Sequence, residues 1–202
     1  MSPTVFATGF SMGLTLIVAI GAQNAFVLKQ GLRREHVFAV FLTCALSDAI
    51  LITLGVTSLG VVTAVLPWLE PAMRYGGAAF LIWYGARSLI SAFTGKAALT
   101  ADGAAVPSLK ATLITCLALT WLNPHVWLDT VVLLGSISTQ FPGERMAFAL
   151  GATAASFAFF FALAYGARFL APLFARPAAW RVLEGVIALV MWGIAAKLVI
   201  GM

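Results

Sequence analysis

Two acids stand inside stretches that are otherwise apolar. Asp48 lies within Leu42-Thr43-Cys44-Ala45-Leu46-Ser47-Asp48-Ala49-Ile50-Leu51, and Asp129 within Trp127-Leu128-Asp129-Thr130. A carboxylate at membrane depth is costly and is expected to face a cavity or a partner. Ionised, such a group holds a cation; protonated, it releases it. Two carboxamides share the same kind of setting. One sits in Gly21-Ala22-Gln23-Asn24-Ala25-Phe26-Val27-Leu28, the other in Trp121-Leu122-Asn123-Pro124-His125-Val126-Trp127-Leu128. With Asn24 laid on Asn123, the register holds through Val27/Val126. Pro124 removes a backbone donor and clashes with the preceding turn, so it breaks a helix. Gly21 does comparable loosening in the first stretch. Freed carbonyls at a break can be satisfied by Asn24, by Asn123 or by a ligand. The helix resuming after each break presents N–H groups that favour a carboxylate.

Gln23 is a second amide at the first break, with Leu122 in the corresponding place of the second. His125 serves more simply as hydrogen-bonded structure than as a proton relay. Trp121 and Trp127 fit either stacking on a substrate or packing. Two acids suit a cation and two helix breaks suit a carboxylate, so the ligand that matches both is a zwitterion with an extra positive charge, a basic amino acid. The acids can equally serve as proton carriers, and the breaks as packing kinks.

These residues need apolar elements to carry them. Of 202 residues, 62% are hydrophobic and 9% charged, against about 25% charged in soluble domains. The mean hydropathy is +1.02. The chain is therefore read as an all-α integral membrane protein. Its net charge of +5 does not indicate nucleic acid, because the basic residues fall between apolar stretches, as membrane orientation requires. No Lys or Arg precedes Lys29, so the first span lacks the basic flank of a signal peptide and is expected to persist. Cys44 and Cys116 lie in separate spans, read as small packing residues without a disulfide framework or metal cluster.

About 20 apolar residues cross a bilayer as a helix. Six stretches qualify, near 4–28, 37–66, 72–94, 111–138, 146–172 and 179–201, within one transmembrane domain over 1–202. A connection at 95–110, with Gly95, Lys96, Asp102, Gly103, Pro107 and Lys110, divides two three-helix repeats, about 4–94 and 111–201. Gly77, Tyr84-Gly85 and Arg87 of the third stretch echo Gly185, Trp192-Gly193 and Lys197 of the sixth. Lys29, Arg33, Arg34, Arg87, Lys96, Lys110, Arg168, Arg176 and Arg181 belong to the odd connections and their flanks. The even connections hold only Arg74 and Arg145. Basic loops stay in the cytoplasm, which puts both termini outside. An odd number of helices per repeat then makes the repeats inverted, with the first and fourth helices broken, an arrangement that points to a transporter. Glu35, Glu70, Asp102, Glu144 and Glu184 are expected on solvated faces near loops.

The stretch from Gly21 to Arg34, Ser47-Asp48, and the stretch from Trp121 to Ser136 together resemble the LysE/ArgO family of lysine and arginine exporters, and the resemblance spans nearly the whole chain. It implies a non-enzymatic secondary-active exporter of L-lysine or L-arginine in the bacterial inner membrane. The driving force would be the membrane potential or a proton gradient, with no metal and no organic cofactor. The site residues are then Gln23, Asn24, Asp48, Asn123, Pro124 and Asp129 for substrate, with Asp48 and Asp129 also for proton coupling and Gly21 and Pro124 as helix breaks.

An exporter of neutral amino acids from the same superfamily is the alternative. An intramembrane aspartyl protease using Asp48 and Asp129 as a proton-sharing pair is distant, because Asp129 lacks the glycines of that class. A metal-ion exporter would need more ligands than this chain offers. Small-residue faces such as Gly76-Gly77-Ala78-Ala79 can pack helices within or between protomers, which leaves room for a homo-oligomer.

Overall fold

The computed structural model describes residues 2–18, 21–94 and 107–200. Their elements are all helical. Helix α1 spans Pro3–Ile17 and α2 spans Ala22–Arg33. Proline opens α1, where its missing N–H costs nothing. Helix α2 begins after extended Gly21 and ends at Arg34, whose φ of 56° turns the chain. The Glu35 and Arg34 amides close that end on Gln30 and Gly31 oxygens. Helix α3 covers Val37–Thr94, with non-helical torsions at Ser58. Helix α4 is Leu109–Trp121, with the Ser108 hydroxyl accepting from the Ala111 amide. A four-residue α5, Pro124–Trp127, runs into a π-helical stretch, Leu128–Leu133, and then α6, Leu134–Ser138. Helix α7, Arg145–Gly166, is followed by two 3₁₀ turns, and α8 spans Pro177–Ile200.

Both expected breaks are present. Helices α1 and α2 meet at 84°, and α4 meets the helix that starts at Pro124 at 60°. Three helical stretches are long and apolar enough to cross a membrane, Val37–Val62, Arg145–Leu170 and Pro177–Ile200, or five if each bent pair is one span. The first span runs to Arg33 rather than 28, because no proline stands between Asn24 and Arg34 and Gly31 is held inside the helix by close packing on Ala164. The second and third expected spans share α3: the backbone is helical through 67–71, and the interruption falls at Ser58 instead. Most of the 95–110 connection lies outside the described residues, and Leu109 and Lys110 already belong to α4.

A straight α3 would carry Tyr84 about 70 Å from Val37, at 1.5 Å per residue. Yet Tyr84 packs on Phe26, with ring centroids 6.2 Å apart, and lies under Lys29. Both partners lie on α2, which ends just ahead of Val37, so α3 folds back on itself. Its first arm meets α7 through Phe41, which touches Phe157, Phe161 and Tyr165 edge-on. Its second arm lies along α8. There Gly85 packs on Trp192, the Trp192 indole donates to the Ile82 oxygen at 3.2 Å, and the Arg74 guanidinium donates to the Leu198 and Val199 oxygens.

Two crossings bring backbones into contact. A methyl group on Gly9 would stand 2.1 Å from the Phe148 oxygen, and one on Gly151 would stand 2.1 Å from the Phe6 oxygen, so α1 and α7 meet without side chains between them. At the other crossing, the first arm of α3 meets the π stretch and α6. A methyl on Gly135 would lie 2.6 Å from the Gly55 oxygen, and one on Gly55 2.5 Å from the Val131 oxygen. Small residues at such crossings replace the hydrophobic drive that lipid cannot supply. The glycine echo of the third and sixth stretches is not an echo in packing. Gly77 and Gly85 are tightly covered, whereas Gly185 and Gly193 have nothing within 4 Å.

Candidate functional site

Asn24 and Asn123 each repair a break, in opposite senses. Asn24 Nδ2 donates to the Ile17 oxygen at 2.7 Å, satisfying the end of α1 from the start of α2. Asn123 Oδ1 accepts from the His125 amide at 3.1 Å, capping the helix that resumes. Across the second break the Trp127 indole donates to the Trp121 oxygen at 3.1 Å, and the two indoles meet edge-to-face at 5.8 Å. The Trp121 indole donates to Ser47 Oγ at 3.1 Å, tying the break to α3 beside Asp48. The tryptophans are therefore braces. Pro124 is the buried first residue of α5.

Asp48 is 3% exposed, and its Oδ2 accepts from the Ser156 hydroxyl of α7 at 2.8 Å. Asp129 lies in the π-helical stretch, where the Leu134 amide donates to the Asp129 backbone oxygen. Such wide turns recur at functional sites.

These residues share a cavity of about 310 Å³, within the usual ~300–1,000 Å³ of ligand sites. Gly21, Gln23, Asn24, Asp48, Asn123 and Asp129 all line it, as does His125. Pro124, expected at the substrate, does not line it. Helix α1 contributes Gly13, Leu16 and Ile17; α7 contributes Phe160; α8 contributes Ile194 and Lys197. The first amides of α2 have no intrahelical acceptor and no side-chain cap, and they lie at this wall. The Gln23 amide reaches the Cys44 thiol and makes no well-formed hydrogen bond through its buried Nε2. The cavity thus offers two carboxylates, a histidine, a lysine, amides and a helix N-terminus. Among the described residues no group of three or more His, Cys, Asp or Glu is arranged to hold a metal.

Three relationships escape the sequence reading. Lys197, read there only as part of the echo between the third and sixth stretches, lines the cavity; its position inside the last apolar stretch was the available signal. Cys44 and Cys116, read as separate packing residues, meet with sulfurs 3.2 Å apart. Glu184, expected on a solvated face, is 0% exposed and pairs with Lys29 at 2.6 Å. The physical reason is helix length. Helix α8 starts at Pro177 and α2 continues to Arg33, so both residues lie well within their helices.

The sequence profile of the family described as LysE type translocator matches residues 14–202. The chain is 44% identical over 195 residues to the arginine exporter protein ArgO of Pectobacterium carotovorum subsp. carotovorum, covering 96% of each protein. It is 43% identical over 195 residues to ArgO of Yersinia enterocolitica, covering 96% of this chain and 95% of that protein. It is 41% identical over 196 residues to ArgO of Klebsiella pneumoniae, covering 96% and 93%. No solved structure matches significantly. A profile match over nearly the whole length, on a helical chain broken at both asparagines, has one conclusion: the chain belongs to the family of LysE type translocators.

Proposed function

We propose that this protein exports basic amino acids, L-arginine and/or L-lysine, across the bacterial cytoplasmic membrane as a secondary-active carrier. The observation that carries the reading is the single cavity in which Asp48 and Asp129 face two helix breaks. The acids suit the ammonium and the cationic side chain. The α2 N-terminus and Lys197 suit the α-carboxylate. The relatives named arginine exporters support the same ligand class. The carrier would be driven by the membrane potential or a proton gradient, with a proton from outside replacing the cation on Asp48 or Asp129.

Lys197 also favours a second reading, export of neutral amino acids, because it offsets one acid in the same cavity. Efflux of labelled arginine, lysine, threonine and leucine from loaded proteoliposomes separates the two. Preference for arginine and lysine is expected, and preference for threonine or leucine overturns the proposal.

We read the architecture as six crossings in two inverted repeats. Contacts at the two ends support this. At one end Gly31 packs on the Ala164 oxygen, Arg33 lies over Trp180 and His36 Nε2 meets the Pro107 oxygen. At the other, the Ser2 amide donates to Glu144 and Arg74 holds the end of α8. Successive segments therefore run between opposite ends. Pairing follows a two-fold exchange: the first segment crosses the fifth at Gly9 and Gly151, and the fourth crosses the second at Gly135 and Gly55. The basic end belongs in the cytoplasm, which puts both termini outside. Reporter fusions after Arg34 and Arg176 should read cytoplasmic; cytoplasmic termini would overturn this orientation.

A further inference from the structure

We propose that Glu184 is a second binding station for the cationic side chain of the exported amino acid, lying between the cavity and the basic end, and that Lys29 occupies it in this conformation. The inference rests on the export reading above and adds a site to it. Along α2, Lys29 stands about 9 Å beyond Gln23, which lines the cavity. Tyr84 fills the space between. It packs on Phe26 toward the cavity and lies 5.9 Å beneath the Lys29 ammonium toward the basic end. Phe26 and Tyr84 are buried, so the ion pair stands against two packed rings and outside the lining of the cavity.

The pair is built for exchange rather than for permanence. Lys29 Nζ stands 2.6 Å from Glu184 Oε1, yet neither buried carboxylate oxygen makes a well-formed hydrogen bond, and Oε2 has no ion-pair contact either. A buried ion pair kept for stability needs its remaining lone pairs satisfied. The bare oxygen leaves a lone pair for a second donor, and a guanidinium presents two donors in parallel to a carboxylate. Lys29 is also chemically a tethered copy of a lysine substrate. The contact it makes with Glu184 and the Tyr84 face is the contact a lysine side chain entering from the basic end would make.

The station predicts a selectivity that a purely structural pair does not. Citrulline has nearly the shape of arginine without its charge. Efflux of each is measured from proteoliposomes over a range of internal concentrations, with folding followed by thermal melting in detergent. The Lys29→Gln/Glu184→Gln double variant removes both charges and leaves no buried ion unpaired. It is expected to raise the KM for internal arginine about tenfold and to lower the arginine-to-citrulline preference by a similar factor, with maximal rate less affected. Glu184→Asp keeps the charge but withdraws the carboxylate by one methylene. It should raise KM several-fold, and it supplies the test if the double variant does not fold. Wild-type KM and preference in a folded variant overturn the station. If the wild type exports neither compound, the export reading fails instead.

Discussion

Asn24 reaches back to hold the Ile17 carbonyl, while its counterpart Asn123 reaches forward to cap the His125 amide. One carboxamide uses its donor and the other its acceptor. The two breaks are alike in sequence but are stabilised from opposite sides. Asn24→Asp removes the donor and should reduce arginine efflux at least tenfold, because a stranded carbonyl costs about 1–3 kcal/mol. Asn123→Ser keeps a capping oxygen and should retain at least half of wild-type efflux, whereas Asn123→Ala should fall well below it. Equal tolerance at both positions would contradict the opposed roles.

Asp48→Asn preserves an oxygen that can accept from the Ser156 hydroxyl while removing the titratable charge. Efflux of arginine from preloaded vesicles should be abolished with membrane insertion intact. In the wild type, lowering external pH should speed efflux, since protonation of the acid releases the cation outward. His125, Asp129 and Lys197 line the same cavity and will shape that profile. Asp129→Asn should slow efflux less severely. A wild-type pH profile in the Asp48 variant would remove this residue from the coupling step.

The crossing of Gly135 with Gly55 leaves no space for a side chain. Gly135→Val should therefore lower the melting temperature in detergent by several degrees, as overpacking costs about 1–3 kcal/mol. Gly193→Ala, in open space, should leave melting unchanged or slightly raised, because alanine favours the helix by up to about 1 kcal/mol. Equal effects would mean that the crossing is looser than described.

Cys44 and Cys116 join the first arm of α3 to α4 through sulfurs 3.2 Å apart. Oxidation of membranes with copper phenanthroline should link them within one chain, seen as a mobility shift that Cys44→Ser abolishes. The link should arrest arginine efflux, because α3 carries Asp48 into the cavity and α4 leads into the second break, and reductant should restore it. Full efflux in the linked protein would show that α3 and α4 stay together throughout transport.

The sequence made the polar interruptions legible because an amide or acid in an apolar run is conspicuous by type alone. Asn24, Asn123, Asp48 and Asp129 could be found that way, and the cavity unites them. What depends on partners far along the chain was not legible. Lys29 and Glu184 each stand near an expected loop, and neither position shows that the other exists. The cysteine contact is hidden for the same reason. The π-helical stretch around Asp129 leaves no compositional mark, and the interruption at Ser58 was expected instead between the stretches 37–66 and 72–94.

The glycine crossings have a mechanical consequence. Where backbone lies on backbone, neither helix can slide or roll without collision, so α1 with α7, and α6 with the first arm of α3, behave as two rigid struts. Freedom to rearrange is then left to the joints between them, the hinges at Gly21 and Asn123. A molecule built this way changes shape by pivoting a few stiff members about two flexible points rather than by deforming throughout.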